Sequence, residues 1–314
     1  MATYGATFKH LRIQRGFQIM EVYGGLLSRT TAYRFESGEN QISIENLQPL
    51  LYNIGIFSVD EFLFLHNQRN QLPPQNLDLY VSKLMQQDSA DVLSKSDGTT
   101  MAFYQQYKDS SKKEERFYAY LVHYNILTSW QQELSLPPEF NHEYQFMQNY
   151  LLQIESWGLR ELENFGFLSG CFDRETRRLL LPRFKSNFLR YQDYFSDWAN
   201  HYMLNLVNYS MNTSHRQDFQ DLPEELVAIQ ELMENNPRLN WYTVHLIRYL
   251  HLQILVAAVQ GNKQELVLKL ERLIAYQKAV PEVANIAVFY VDHTQKKIKQ
   301  INAKLATEIE LSDR

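Results

Sequence analysis

Arg29, Thr30, Tyr33 and Arg34 crowd into one short stretch of this 314-residue sequence, and their side chains suit a single kind of chemistry. A guanidinium can donate two parallel hydrogen bonds to O6 and N7 of a guanine, while a threonine can meet a thymine methyl or an acceptor edge. Thr31 lies in the same turn. Ser28 precedes it as a residue type favoured at a helix N-cap. The Ser28 backbone amide, with Lys9 and Arg15, suits phosphate oxygens rather than base edges. Charge agrees locally. Residues 9–34 carry a net of +4, whereas residues 35–66 carry Glu36, Glu39, Glu45, Asp60 and Glu61 and no lysine or arginine. So narrow a basic face needs a dimer covering two half-sites to reach useful affinity.

The elements that would hold those residues can be read around them. Residues 5–63 fit a five-helix unit of the phage-repressor kind. A first helix covers Tyr4 to Arg15 and stops at Gly16, and a second covers Gln18 to Tyr23. The third opens at Ser28 and closes at Ser37-Gly38. A fourth, started by Ser43 or Ile44, runs from Glu45 to Tyr52, and a fifth starts at Val59-Asp-Glu-Phe-Leu63. In such units the third helix lies in the major groove with its first turns toward the base edges. Arg12 and Glu36 fall where these units place a buried ion pair joining helix 1 to the end of helix 3; the alternative is two unrelated surface charges. Tyr23 stands where a small alanine is usual, and Ala32 stands where a β-branched residue is expected. Large and small have traded places with volume conserved. Gly24-Gly25 after Tyr23 could instead loosen helix 2.

The remainder of the chain is built differently. Residues 67–76, Asn-Gln-Arg-Asn-Gln-Leu-Pro-Pro-Gln-Asn, form a polar, proline-stopped linker between a first domain (1–66) and a second (77–314). Apolar periodicity predicts helices near 77–87, 99–109, 113–130, 139–154, 158–169, 173–192, 195–211, 223–235, 240–260, 262–278 and 281–309. No strand-like alternation competes with them. Only 11 Gly and 9 Pro punctuate the chain, about half of average usage, so elements are long. The fold class is all-α: a helix-turn-helix domain followed by an α-solenoid of degenerate helical hairpins recurring at roughly 35–45 residues. In the last helix, Ala287, Val291, Thr294, Ile298, Ile301 and Leu305 make a narrow coiled-coil-like seam, either packed on the preceding helix or paired across a dimer.

The order Ser28-Arg-Thr-Thr-Ala-Tyr-Arg-Phe-Glu-Ser-Gly-Glu39, Ile42-Ser43, Val59-Asp-Glu-Phe62 resembles the N-terminal domain of the Rgg/MutR/GadR-type regulators of Gram-positive bacteria. Weaker matches follow in order at Ile154-Glu-Ser-Trp-Gly158 with Glu161-Leu162, Met203-Leu-Asn-Leu-Val207, and Leu246-Ile-Arg-Tyr249 with Gly261-Asn262. The resemblance implies a homodimeric transcription factor that reads an inverted repeat in double-stranded DNA. It also implies tetratricopeptide-like repeats that bind a short signalling peptide on their concave face. Asn205 matches a family asparagine able to hold a peptide backbone through both its carbonyl and its amide, or else to pack one helix on another. Arg183, Asn187, Arg190 and Tyr202 are further candidates on the same face. Some relatives bridge their dimer through a cysteine at the start of helix 4. This chain has Ile44 there. Asp197 and Trp198 occupy a stretch where relatives carry basic residues, so a peptide ligand would differ in charge and be more apolar. Two other outcomes stay open: a repeat domain that only dimerises or recruits a protein, and a repeat scaffold that has lost DNA binding.

Other chemistries find no support in the residue pattern. The longest apolar run, Ile254 to Val259, is six residues, against about 18 for a membrane span. The start of the chain carries no secretory signal pattern, so a cytoplasmic location is expected. Cys171 is the single cysteine, expected to be buried rather than reactive. The nine histidines show no metal-ligand spacing, and neither a phosphate-cradling loop nor a nucleophile elbow occurs. No enzyme, metal or cofactor is expected. Aromatic stripes at Phe117, Tyr120 and Tyr124, and at Tyr144 with Met147 and Leu151, belong to repeat cores. The net charge of -5 excludes only a protein coated in nucleic acid.

Overall fold

The computed structural model describes residues 1–71, 81, 98–129, 138–194, 196–241, 243–279 and 284–305. Among them every regular element is a helix. The chain divides into two compact units, Met1–Leu84 and Met85–Arg314.

The first unit contains α1 (Tyr4–Gln14), α2 (Ile19–Tyr23), α3 (Arg29–Ser37), α4 (Ile44–Asn53) and α5 (Val59–Arg69). Short-range chemistry sets their ends. Thr3, Ser28 and Ser58 cap α1, α3 and α5 by accepting hydrogen bonds from the backbone amides of Ala6, Thr31 and Glu61. Gly16 follows α1 and Gly38 follows α3, both in the left-handed region at φ 79° and 83°, where a Cβ is costly. The last turn of α5 takes up residues 67–69, assigned to the linker by their polarity. The paired prolines 73 and 74 and, apart from Val81, the helix expected near 77–87 lie outside the described residues.

α1 and α2 pack on α3, and α4 and α5 complete a core that includes Phe8, Val22, Tyr23, Ala32, Phe35 and Phe62, each exposed by 3% or less. Burying one such large side chain contributes about 1.5–3 kcal/mol. Tyr23 points inward, its ring edge-on to Phe8 at 5.6 Å between centroids. It belongs to the same cluster as Ala32, which fits the exchange of large and small residues between α2 and α3.

The second unit contains α6 (Thr99–Tyr107), α7 (Lys113–Ser129), α8 (Asn141–Gln153), α9 (Leu159–Leu168), α10 (Arg174–Leu189), α11 (Trp198–His215), α12 (Leu222–Asn235), α13 (Thr243–Val259), α14 (Lys263–Ala279) and α15 (Ala284–Leu305). Alternate helices stack: α9 on α11, α11 on α13 and α13 on α15. Between them α10, α12 and α14 pack on the helices they follow in sequence. That is the two-row order of an α-solenoid. Along the seam of α15, Thr294, Ile298 and Ile301 are buried, and α15 packs on α13 and α14. These three seam positions are therefore covered by the chain's own helices; the side chains of Ala287, Val291 and Leu305 lie outside the described residues. Phe117, Tyr120, Tyr124, Met147 and Leu151 are core residues as expected, whereas Tyr144 is only half-buried and turns its hydroxyl to Asp173 Oδ2 at 2.9 Å. No helix among the described residues is long and apolar enough to cross a membrane.

Candidate nucleic-acid interface

The rear of α3 is fixed by a buried, two-pronged ion pair. Arg12 Nε lies 2.6 Å from Glu36 Oε1 and Arg12 Nη2 lies 2.8 Å from Glu36 Oε2. Both side chains are at least nine-tenths buried. The remaining terminal nitrogen, Nη1, donates to the carbonyl of Phe17 at 2.7 Å, tying the turn after α1 into the same knot. The hydrogen bond to Glu36 holds the Arg12 pKa above its ordinary value against the opposing effect of burial. Burial, reinforced by the Glu36 charge, pushes the Tyr23 hydroxyl up as well. A second constraint is steric. A Cβ on Gly5 would sit 1.6 Å from the carbonyl oxygen of Phe35, so α1 and α3 touch backbone to backbone.

The opposite face of α3 is open. Arg29, Thr30, Tyr33 and Arg34 are exposed. Arg29 lies over the Tyr33 ring, 5.7 Å from its centroid, which narrows the directions its guanidinium can take. Ser28 and Thr31 serve the N-terminus of the helix: Ser28 Oγ accepts from the Thr31 amide at 3.2 Å and lies 2.8 Å from Thr31 Oγ1. Lys9 is exposed on α1. Arg15 has an internal task, since its Nη1 donates to the carbonyl of Ile54 at 2.6 Å, capping the end of α4.

The groups suggested for a peptide are largely engaged within the repeat unit. Asn205 is buried; its Oδ1 accepts from the Gly166 amide at 3.1 Å and its Nδ2 donates to the carbonyl of His201. A Cβ on Gly166 would come within 2.5 Å of the Asn205 carbonyl oxygen, so α9 and α11 meet at close range there. Arg183 donates to the carbonyls of Leu151 and Leu152 at the end of α8. Asn187 accepts from the Trp157 amide at 3.2 Å. Arg190 is exposed and donates to Ser156 Oγ at 2.7 Å. Tyr202, half-buried, stacks against Phe188 with ring centroids 5.0 Å apart. The pairings of Asn205 with Gly166, of Arg183 with Leu151 and Leu152, of Asn187 with Trp157 and of Arg190 with Ser156 span 30 to 39 residues, beyond the reach of sequence periodicity.

An open groove runs elsewhere, floored by α13 between α12 and α14. One part, of about 390 Å³, is lined by groups including Leu246, Tyr249, Gln253, Arg272 and Tyr276. Past Gln253 and Lys269 it continues into a further volume of about 250 Å³. Nothing in the sequence pointed to this groove; its lining residues are ordinary repeat-face types. Cys171 is buried, and burial pushes its thiol pKa up. Among the described residues no cluster of His, Cys, Asp or Glu could hold a metal ion.

The likeness to Rgg-type regulators extends to three dimensions. A Listeria monocytogenes EGD-e protein assigned as a transcriptional regulator is 17% identical, with a TM-score of 0.69 over 97% of this chain and 99% of its own. The SHP pheromone receptor Rgg2 of Streptococcus dysgalactiae is 18% identical, with a TM-score of 0.67 over 93% of this chain and 99% of its own. PrgX, in its complex with cCF10, is 14% identical, with a TM-score of 0.57 over 96% of this chain and 94% of its own. This chain thus has the all-α fold of those proteins along nearly its whole length. No family model matches it, and no curated protein does.

Proposed function

We propose that the chain is a sequence-specific DNA-binding transcriptional regulator of the cytoplasm, acting as a homodimer on an inverted-repeat operator and controlled by a short peptide. The observation that carries this reading is α3 itself. It is a capped helix locked from behind by Arg12–Glu36, with Arg29, Thr30, Tyr33 and Arg34 on its open face. In this reading Ser28, Thr31, Lys9 and the part of Arg15 not engaged with Ile54 position phosphates. For the dimer, Ile44 is exposed beside an apolar cleft of about 520 Å³ lined in part by Tyr4, Ile42, Leu47 and Phe62, where a non-covalent contact can stand in for a cysteine bridge. For the peptide, the α13 groove offers apolar, aromatic and amide groups in the mixture that an extended chain requires. Arg190, exposed, and Tyr202, half-buried, supply a second, smaller set of groups, while Arg183 is held by backbone carbonyls at the end of α8. Asn205 and Asn187, both buried and bonded within the repeat unit, hold helices together in this reading rather than a peptide. The protein has no catalytic role in this reading.

The deciding experiment is binding of the full chain to DNA from upstream of its own and neighbouring genes, followed across salt concentration. The slope of log K against log salt should be about -0.9 per phosphate neutralised. Arg29→Ala with Arg34→Ala should abolish preference for the operator while leaving the fold intact by circular dichroism. Wild-type protein with no DNA affinity at low salt would instead favour the scaffold reading. Operator binding unaffected by every short peptide tested would favour a repeat domain that only dimerises or recruits.

A further inference from the structure

Four large apolar side chains described in the second unit are more than half exposed: Leu179, Leu189, Tyr194 and Val227. Leu179 and Leu189 stand on α10, Tyr194 in the turn that follows it, and Val227 on α12. Scattered singly such groups mean little, but gathered on two neighbouring helices they mark a contact surface. On α10 the exposed residues Leu179, Pro182, Ser186 and Leu189 follow one another at the 3-4-3 spacing of a single helix face. Glu224, Val227, Glu231 and Glu234 repeat that spacing on α12, and they too are exposed. The two helices belong to one row of the solenoid. Arg174, the first residue of α10, is joined to Asp221, the residue before α12, at 2.8 and 2.7 Å, and Arg177 is joined to Asp218. Their amino ends are therefore fixed side by side.

The charges on the two faces are opposite. Residues 174–190 carry six lysines and arginines against Glu175, a net of +5, in a chain whose total is -5. Residues 218–235 carry six aspartates and glutamates and no lysine or arginine. Some of these charges are used internally: Arg174 and Arg177 by the ion pairs just named, Arg183 by the carbonyls of α8, and Glu225 by Thr213. The rest look outward. Arg178 and Arg190 are exposed and Lys185 is half-buried, while Glu224, Glu231 and Glu234 are exposed on α12. Apolar groups at the centre with charges around them make up a surface that binds protein. A second α10 laid on the first would oppose like charges, which is strongly unfavourable. A two-fold axis between α10 and α12 avoids this, because it sets each α10 on the other copy's α12.

We propose that the second unit binds a second copy of itself through this surface, the basic, leucine-bearing face of each α10 lying on the acidic face of the other copy's α12. The proposal rests on the homodimer of the preceding reading and gives it a contact in the second unit, separate from the one beside Ile44. Leu179, Leu189 and Val227 leave water at the centre of the contact. Around them Arg178 and Lys185 meet Glu224 and Glu231, and these pairs set the register of the two helices. Symmetry makes each contact twice, so one substitution acts on the dimer twice. A nucleic acid on α10 would leave the apolar row and the whole face of α12 unused. A second copy uses both.

Sedimentation equilibrium of the full chain tests the proposal at about 0.1 M and about 1 M salt, where charges are screened beyond about 10 Å and about 3 Å. The wild type should be a dimer that weakens as salt rises. Arg178→Glu with Lys185→Glu should raise the dimer dissociation constant by about 100-fold at low salt, since attraction becomes repulsion on both sides of the axis. Glu224→Lys with Glu231→Lys should do the same. None of the four positions is buried, and circular dichroism should show both variants folded. Mixed in equal amounts, the two variants should form a heterodimer as tight as the wild-type dimer, because every reversed face then meets its opposite. Val227→Asp, independent of those four charges, should weaken the dimer by about tenfold. A monomeric wild type overturns this contact together with the homodimer reading. A dissociation constant unchanged in these variants, or a mixture that does not recover, overturns this contact alone and leaves the homodimer to the first unit.

Discussion

Replacing Glu36 with Gln removes one charge from the Arg12–Glu36 pair and nearly no volume. The guanidinium then keeps its bond to the Phe17 carbonyl but loses its counter-charge in a site where Arg12 is only 7% exposed. Stranding a buried charge costs about 3–5 kcal/mol, a large part of the roughly 5–15 kcal/mol that holds a domain together. The opening equilibrium of α3 should therefore rise by roughly 10²–10⁴-fold at 1.4 kcal/mol per decade. All four tryptophans, at 130, 157, 198 and 241, lie outside the first unit, so indole fluorescence will miss the event. Amide exchange of residues 29–37 in the full chain will report it, and DNA affinity should fall in parallel. The double variant Arg12→Leu, Glu36→Leu supplies the control. An apolar pair of similar size can recover most of the loss, because neither charge is then buried. A single-variant effect under about 1 kcal/mol, or a double variant as damaged as the single, would refute the clamp.

Two further outcomes follow from the geometry. Glu225 is 9% exposed, accepts from Thr213 Oγ1 at 2.9 Å, and is raised by burial from 4.5 to about 7. Its contribution is intact below pH 4.5 and is lost as pH rises through 7, so Glu225→Gln should stabilise the second unit by about 3 kcal/mol at pH 8 and by less than about 1 at pH 5. Urea denaturation followed by tryptophan fluorescence at both pH values checks it, and a gain independent of pH would contradict it. Gly5→Ala forces a methyl into the Phe35 carbonyl and should cost about 3 kcal/mol or more through separation of α1 from α3. Amide exchange of both helices measures this, and unchanged protection would show that the close approach is dispensable.

Much of the fold was legible because helix ends are written in adjacent residues. Ser28 and Gly38 bracket α3 through an N-cap hydrogen bond and a left-handed φ, both properties of side chains within one turn. The long helices from α6 to α15 follow apolar spacing, and where both ends fall inside the described residues, as in α8, α9, α10, α11 and α12, they lie within a few residues of those predicted. The exposed row on α3 was legible for the same reason, as a face of one helix. Arg12 and Glu36 could be paired across 24 positions only through the motif order of a known kind of domain. The fate of Asn205 could not be read. An asparagine on a helix serves a ligand or a neighbouring helix equally well, and its acceptor contact lies 39 residues away at Gly166.

Local sequence thus determined where helices start and stop, which faces are apolar, and which short stretch carries an exposed row of arginine, threonine and tyrosine. Those are matters of capping, periodicity and backbone freedom, each settled within a few residues. Tertiary structure alone decided that Arg15 caps α4, that Arg183 and Asn187 bind backbone, and that the His293 ring meets those of His215 and His251. Those outcomes depend on how far one helix slides and turns against another. A displacement of one turn exchanges every partner while leaving the pattern along each helix unchanged.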